Sequence, residues 1–405
     1  MEYLFAARRG RVLSVLATTI AAIAVVVRIS AKKSASDTHA EGQIVATGTM
    51  GTHRSGHTAT PLRNGDVLIT GGMVRNGEFV ADTELYEPTT GKFSPAGRMA
   101  SPRVGHTATL LPDGRVLIVG GAARPYKDVA QAEIYDPATK RFVATGSLIT
   151  ARSDAEAVLL PSGEVLIAGG SAGADSHRLA SAELYDPATG KFRTTGSMSL
   201  PRVSFTICPL RNGRILVTGG SVAGRYPNAQ LTASAETYDP VTGKFTPAGS
   251  MRIQRQKHAA VLLGDGRVLI LGGSDNRDWR GKMDSAEIYD PAAEAFADAG
   301  RMSAARFKLT NATVRLPDGK VLIAGGAGHA EIFDPAWLRF DVVAGPEMDG
   351  RYFSTATLLK GGRVLLAGGY GENVEPSSNV AWIYVPIVNS VLTQTTATTW
   401  ARKSP

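Results

Sequence analysis

Cysteine is nearly missing. Cys208 is the single one in 405 residues, which excludes an intramolecular disulfide framework and any multi-cysteine metal cluster, and leaves the redox compartment open. Aromatic residues are sparse, at 7%. No glycine-rich phosphate loop and no serine-nucleophile turn can be found. Charge of one sign is also scarcer than the net value of +8 suggests. Residues 1–40 hold six Lys/Arg against Glu2 and Asp37, and residues 387–405 add Arg402 and Lys403. Between 41 and 386, 36 basic groups face 34 acidic ones, so the body of the chain gives no electrostatic reason to bind nucleic acid.

Long apolar runs are absent except for one. After the basic lead "MEYLFAARRGR", Val12–Val27 is interrupted only by Ser14, Thr18 and Thr19, and Arg28 ends it. As a helix it would span roughly 24 Å, slightly less than the ~30 Å hydrocarbon core. Its length and flanks predict export, as a secretion signal or a short signal-anchor with the basic end inside. The segment 1–41 is thus expected to be leader plus polar linker, 42–386 the folded body, and 387–405 a loose tail. The expected location is periplasmic, extracellular or membrane-tethered, with the membrane touched only through an uncleaved N-terminal helix.

Glycine, by contrast, is abundant, with 45 residues, and it is periodic. Gly-Gly pairs stand at 71/72, 120/121, 169/170, 219/220, 272/273, 325/326 and 368/369. A period near 50 residues belongs to propellers and not to helical solenoids. Each unit reads as four strands. "HTATLL" and "RVLIVGG" flank a two-residue turn such as Asp113-Gly114, of the kind that tolerates the positive φ of a tight hairpin. The third strand is "AEIYDP" or a variant, and the fourth starts near "GKF". The recurring aromatic pair, such as Tyr135 with Phe142, reads as packing between strands.

Third strands occur seven times, ending at Tyr86, Tyr135, Tyr185, Tyr238, Tyr289, Phe333 and Tyr384, but fourth strands follow only the first six. The missing one stands at the front, where "GQIVATGTM" (42–50) matches "KRFVATGSL" (140–148). The sequence therefore predicts an all-β, seven-bladed propeller whose last blade is closed by the N-terminal strand. Closure removes open sheet edges.

The Gly-Gly pair, the Tyr-Asp-Pro of the third strand and the aromatic of the fourth resemble the kelch repeat over residues 42–386. Phenylalanine stands where many kelch repeats carry tryptophan. The resemblance implies a ring of radial four-stranded sheets but no single activity, since kelch propellers include protein-binding modules, sialic-acid mutarotases and copper radical oxidases. The oxidases need a cysteine cross-linked to tyrosine, a second tyrosine and two histidines. That set cannot be mapped onto this chain, so no cofactor and no metal are expected.

Features present in every blade read as scaffold. Seven arginines open the blades (Arg54, Arg103, Arg152, Arg202, Arg255, Arg306, Arg351), and six glutamates open the third strands (Glu84, Glu133, Glu183, Glu236, Glu287, Glu331). Pairing within each unit is expected, and a basic ring suited to carboxylates is the alternative. Trp382 takes the glutamate's place in blade seven, which predicts that Arg351 lacks a partner and is free for a ligand. His57, His106 and His258 share one repeat position and read as hydrogen-bonded structural groups. Cys208 reads as a buried small hydrophobe.

Long, varied second-to-third loops share one face with the blade junctions, and that face is where recognition is expected. The expected ligand-binding residues are Arg351, Tyr352, Tyr370, Arg124, Tyr126, Arg225, Tyr226, Arg277, Trp279, Arg255 and Arg306. The leading expectation is an exported monomeric module, not an enzyme, binding a peptide, protein or acidic glycan. A carbohydrate-active enzyme resembling kelch-type mutarotases is the alternative, and a structural surface protein the second. A cavity at the channel mouth holding an unpaired acid or histidine of shifted pKa would mark the enzyme. A shallow aromatic rim would mark the binder.

Overall fold

The computed structural model describes residues 42–173, 175–224, 228–371 and 376–387. Export and the loose tail, along with Arg225 and Tyr226, fall outside them. Among the described residues no helix is long and apolar enough to cross a membrane.

Seven antiparallel four-stranded units surround a common axis, each ordered first-second-third-fourth. Blade three shows the pattern with strands Glu156–Leu159, Val165–Ala168, Ala182–Asp186 and Lys191–Thr194. Closure is as the sequence predicts. Gly42–Ala46 lies antiparallel to Ala381–Pro386, with Ile44 opposite Tyr384 and Ala46 opposite Trp382. Some long loops are themselves small hairpins, such as Ser171–Ala172 paired with His177–Arg178.

Apolar side chains are buried between consecutive blades, not at the axis. Leu117, Val119 and Ile134 of blade two pack against Val165, Ile167 and Tyr185 of blade three. Ile44, from the front of the chain, joins Leu322 and Ile332 of blade six with Leu366 and Tyr384 of blade seven. Fully burying each such side chain contributes roughly 1.5–3 kcal/mol. Because the blade interfaces hold the core, the axis is left free for polar groups. The expected aromatic pairs are present in six blades with ring centroids 4.8–4.9 Å apart.

The repeated Arg–Glu pairs form as expected. Arg306 and Glu331 meet at 2.7 Å with both side chains at 0% exposure, and the other five pairs lie at 2.8–2.9 Å. The pair is also a staple between segments. Arg152 Nη1 donates to the Gly169 carbonyl at 2.9 Å, while the second oxygen of Glu183 accepts the Ile149 amide at 2.8 Å. The Gly-Gly pair is needed where the next blade's arginine junction arrives. A Cβ on Gly120, at φ +66°, would sit 2.6 Å from the Arg152 carbonyl oxygen, so only glycine fits.

Candidate functional site

Two residues after each blade-opening arginine, the chain turns inward through the left-handed region. The seven positions are Gly56, Gly105, Asp154, Ser204, Lys257, Lys308 and Phe353, with φ between +52° and +63°. Backbone hydrogen bonds tie several of them into an arc around the axis. Lys257 N donates to Ser204 O at 2.8 Å, Lys308 N to Lys257 O at 3.0 Å, Phe353 N to Lys308 O at 3.1 Å, and Gly56 N to Phe353 O at 3.0 Å. Glycine adopts this conformation without cost, but each non-glycine residue held there costs on the order of 1–3 kcal/mol. Five blades accept that cost, and the side chains they place there differ.

These residues and the first strands behind them line an axial cavity of about 560 Å³ to which all seven blades contribute. Its acidic side comes from blade three. Asp154 is open to the cavity, but enclosure by the ring raises its carboxyl to about 6, with the Asp128 charge adding to the rise and Lys257 opposing it. Glu156, two residues on, begins the innermost strand. Burial raises its carboxyl to about 8, and the Asp154 charge adds to this. At neutral pH the strand therefore presents one carboxylate and one carboxylic acid. The room for Asp154 is made by blade two, since a Cβ on Gly105 would stand 2.5 Å from Asp154 Oδ1.

The basic side comes from blades five and six. Lys257 Nζ meets Asp278 Oδ1 at 2.6 Å, so the long blade-five loop folds back onto the cavity rim. Lys308 has no carboxylate partner among the described residues. Its ammonium sits 4.8 Å from the Phe307 ring centroid, 5.0 Å from Phe353, 5.2 Å from Tyr370 and 6.0 Å from Tyr352. It donates to Tyr370 Oη at 2.5 Å. Enclosure, reinforced by the Lys257 charge and opposed by Asp278, lowers Lys308 to about 8.

Most residues expected to bind ligand are elsewhere. Arg255 and Arg306 are corrected to scaffold, being wholly buried and tied to Glu287 and Glu331. Tyr352 and Tyr370 are buried at 6% and 8% exposure, so they wall the Lys308 cage and form no open rim. Arg277 is fastened to Asp275 at 2.6 Å. Trp279 is exposed with the Arg280 guanidinium 4.9 Å from its ring. Arg124 and Tyr126 are exposed too, but neither lines the cavity. Arg351 has no ion pair among the described residues, as its missing glutamate predicts. It is not free, however. Its guanidinium stacks 4.2 Å from the centroid of Trp382, the residue standing in for glutamate, and Nε donates to the Met348 carbonyl at 2.7 Å.

The histidines pin neighbouring blades together. His57 Nε2 meets Thr355 Oγ1 at 3.1 Å, and His106 Nε2 meets Thr70 Oγ1 at 3.0 Å. Burial, with nearby arginine charges, lowers both to about 3, so they are neutral. Cys208 is in the blade-four to blade-five core with Tyr289, and burial raises its thiol to about 12. No group of three or more His, Cys, Asp or Glu among the described residues is placed to hold a metal ion. The donor set does not fit the cysteine–tyrosine copper centre of kelch oxidases.

No protein family and no curated protein matches the chain. Among solved structures it is similar to a fungal alcohol oxidase of the AA5 family, in complex with copper, with a TM-score of 0.66 and 21% identity. The alignment covers 85% of this chain and 76% of that one, a likeness of fold. The expectation of a binding module without enzymatic activity is corrected. The solved neighbour is an enzyme, Tyr352 and Tyr370 of the expected aromatic rim are buried while the exposed Tyr126 and Trp279 lie off the cavity, and the cavity holds acids of displaced pKa.

Proposed function

We propose that the protein is an enzyme that uses acid–base catalysis in its axial cavity on a sugar-like polyhydroxylated hemiacetal, opening and reclosing the ring. The reading rests on the two carboxyl groups of one innermost strand, Asp154 at about 6 and Glu156 at about 8. Neighbouring titratable groups pushed to different protonation states are the mark of a base and its acid partner.

Asp154 takes the proton of the anomeric hydroxyl. Glu156 protonates the ring oxygen as the C–O bond breaks, leaving an open-chain carbonyl. Rotation about the adjacent C–C bond and reversal of both transfers give the other anomer. The cavity volume of about 560 Å³ suits a small ligand. Threonines contribute to its wall, among them Thr58, Thr310 and Thr313, a polar lining that suits a polyol. The kelch-like repeat supports the reading through the mutarotases of that family, which usually have six blades where this chain has seven. The AA5 likeness supports an enzyme on this fold, but the residues do not support its copper.

Proton exchange between anomers, followed by magnetisation-transfer NMR on a panel of aldoses and keto-sugar acids, tests the proposal. Turnover should be bell-shaped in pH. It rises through about 6 as Asp154 loses its proton and falls through about 8 as Glu156 loses its own. Uncatalysed exchange rates across the whole panel would refute it. In the same assay Gly105→Ala should lower turnover about 100-fold by displacing the Asp154 carboxylate, since misplacement of ~1 Å costs that much.

A further inference from the structure

The cavity's acid–base pair leaves Lys308 unused, and the structure spends much on this side chain. Its backbone is held at φ +56°, its ammonium is enclosed by four rings, and its hydrogen-bond partner is a phenol. Burial raises Tyr370 to about 12, so this partner stays neutral and cannot neutralise the ammonium. Lys257 is the contrast, since Asp278 holds it in an ion pair at 2.6 Å. A lysine in apolar surroundings beside a second cation is the arrangement that activates an amine as nucleophile.

We propose that Lys308 condenses reversibly with the carbonyl carbon of the open-chain substrate and holds it as an iminium on the blade-six side of the cavity. This rests on the reading that ring opening delivers a carbonyl compound there. Lys308 first loses one proton to water. Its Nζ lone pair then forms the N–C bond as the C=O π pair moves to oxygen, and a nitrogen proton passes to that oxygen. The carbinolamine hydroxyl leaves as water, taking back the proton first released, while the nitrogen lone pair closes the C=N bond. Overall, an ammonium and a carbonyl give an iminium and one water, with no change in charge or oxidation state. Enclosure as a whole disfavours the charged amine, while the attraction of the ring faces acts on ammonium and iminium alike. The cage therefore does not oppose the exchange, and it keeps the product protonated and open to hydrolysis. A lysine built only to carry charge would need a carboxylate more than a cage.

Reductive trapping tests the inference without an activity assay. The full chain is incubated at pH 7 with limiting glycolaldehyde and cyanoborohydride, and adducts are located by peptide mapping. Lys308, lowered to about 8 and caged beside the Lys257 charge, should be alkylated at least about tenfold faster than the exposed Lys244. Lys257 should lag behind Lys308, and Lys308→Arg should remove that adduct alone. Labelling of Lys308 no faster than of Lys244, or preferential labelling of Lys257, would overturn the proposal. The wild-type map decides even if the variant fails to fold. Loss of anomer exchange in Glu156→Gln without a Lys308 adduct would retain the acid–base reading and discard the covalent one. A Lys308 adduct beside a fully active Glu156→Gln would do the reverse.

Discussion

Glu156→Gln is expected to lower turnover by about 10²–10⁴-fold, the usual contribution of a positioned general acid, while the propeller stays folded. Glutamine keeps the shape of the side chain and its hydrogen-bonding capacity but has no proton to give. The loss should appear in kcat more than in KM, because the proton moves only in the transition state. Stability should change in the opposite sense. Burial raises the Glu156 carboxyl from its ordinary 4.5 to about 8, so the folded chain binds a proton that the unfolded chain has lost. As pH rises from about 4.5 to about 8, folding must increasingly oppose ionisation of a half-buried acid, and stability falls. Glu156→Gln removes that penalty. The variant should match the wild type at pH 4 and be more stable at pH 8 in denaturant melts. A variant equally destabilised at both pH values would mean that the side chain serves packing.

The scaffold was legible because it is written seven times. The Gly-Gly pairs, the aromatic pairs and the Arg–Glu pairs each recur with one geometric role, repetition of residue type at fixed spacing reveals that role, and the single fourth strand missing from the end of the count is found at the front of the chain. The site was not legible for the same reason. Its residues take one position per blade, and there the chain carries Gly, Gly, Asp, Ser, Lys, Lys and Phe, with no shared property to mark it. The signal was present in negative form, as a position near a repeated arginine where residue type does not repeat. Long loops drew attention because they vary in length. Their Tyr126 and Trp279 stay outside the cavity, and the blade-five loop comes to its rim through Asp278, paired with Lys257, and Lys282, which donates to Tyr352 Oη at 2.8 Å. Arg351 was correctly singled out as lacking a glutamate, but Trp382 is more than an absence. An indole face can hold a guanidinium, a contact invisible to a rule that looks for opposite charge.

Arg306→Ala is expected to destabilise the fold by about 3–5 kcal/mol, the cost of leaving a buried carboxylate without its partner. Glu331 is fully buried, and the lost guanidinium would leave Oε1 with no charged donor, because burial lowers the pKa of His329, whose Nε2 lies 3.7 Å away. Buried ion pairs are often replaceable by apolar residues of similar volume without loss, and the double variant Arg306→Met with Glu331→Leu asks whether that holds here. It should not. Arg306 also donates to the Gly325 carbonyl at 2.9 Å, and Glu331 accepts the Ser303 amide at 2.8 Å. The double variant would strand two backbone groups, each costing about 1–3 kcal/mol when buried and unmatched. Arg351→Ala should cost less than Arg306→Ala, because it abandons a stacked indole and a carbonyl but no buried anion. Equal losses at Arg306 and Arg351, or a double variant as stable as the wild type, would show that the pairs neutralise charge without tying strand ends. The blade junctions would then need another source for the rigidity that holds Asp154 and Glu156 on one strand against the cavity.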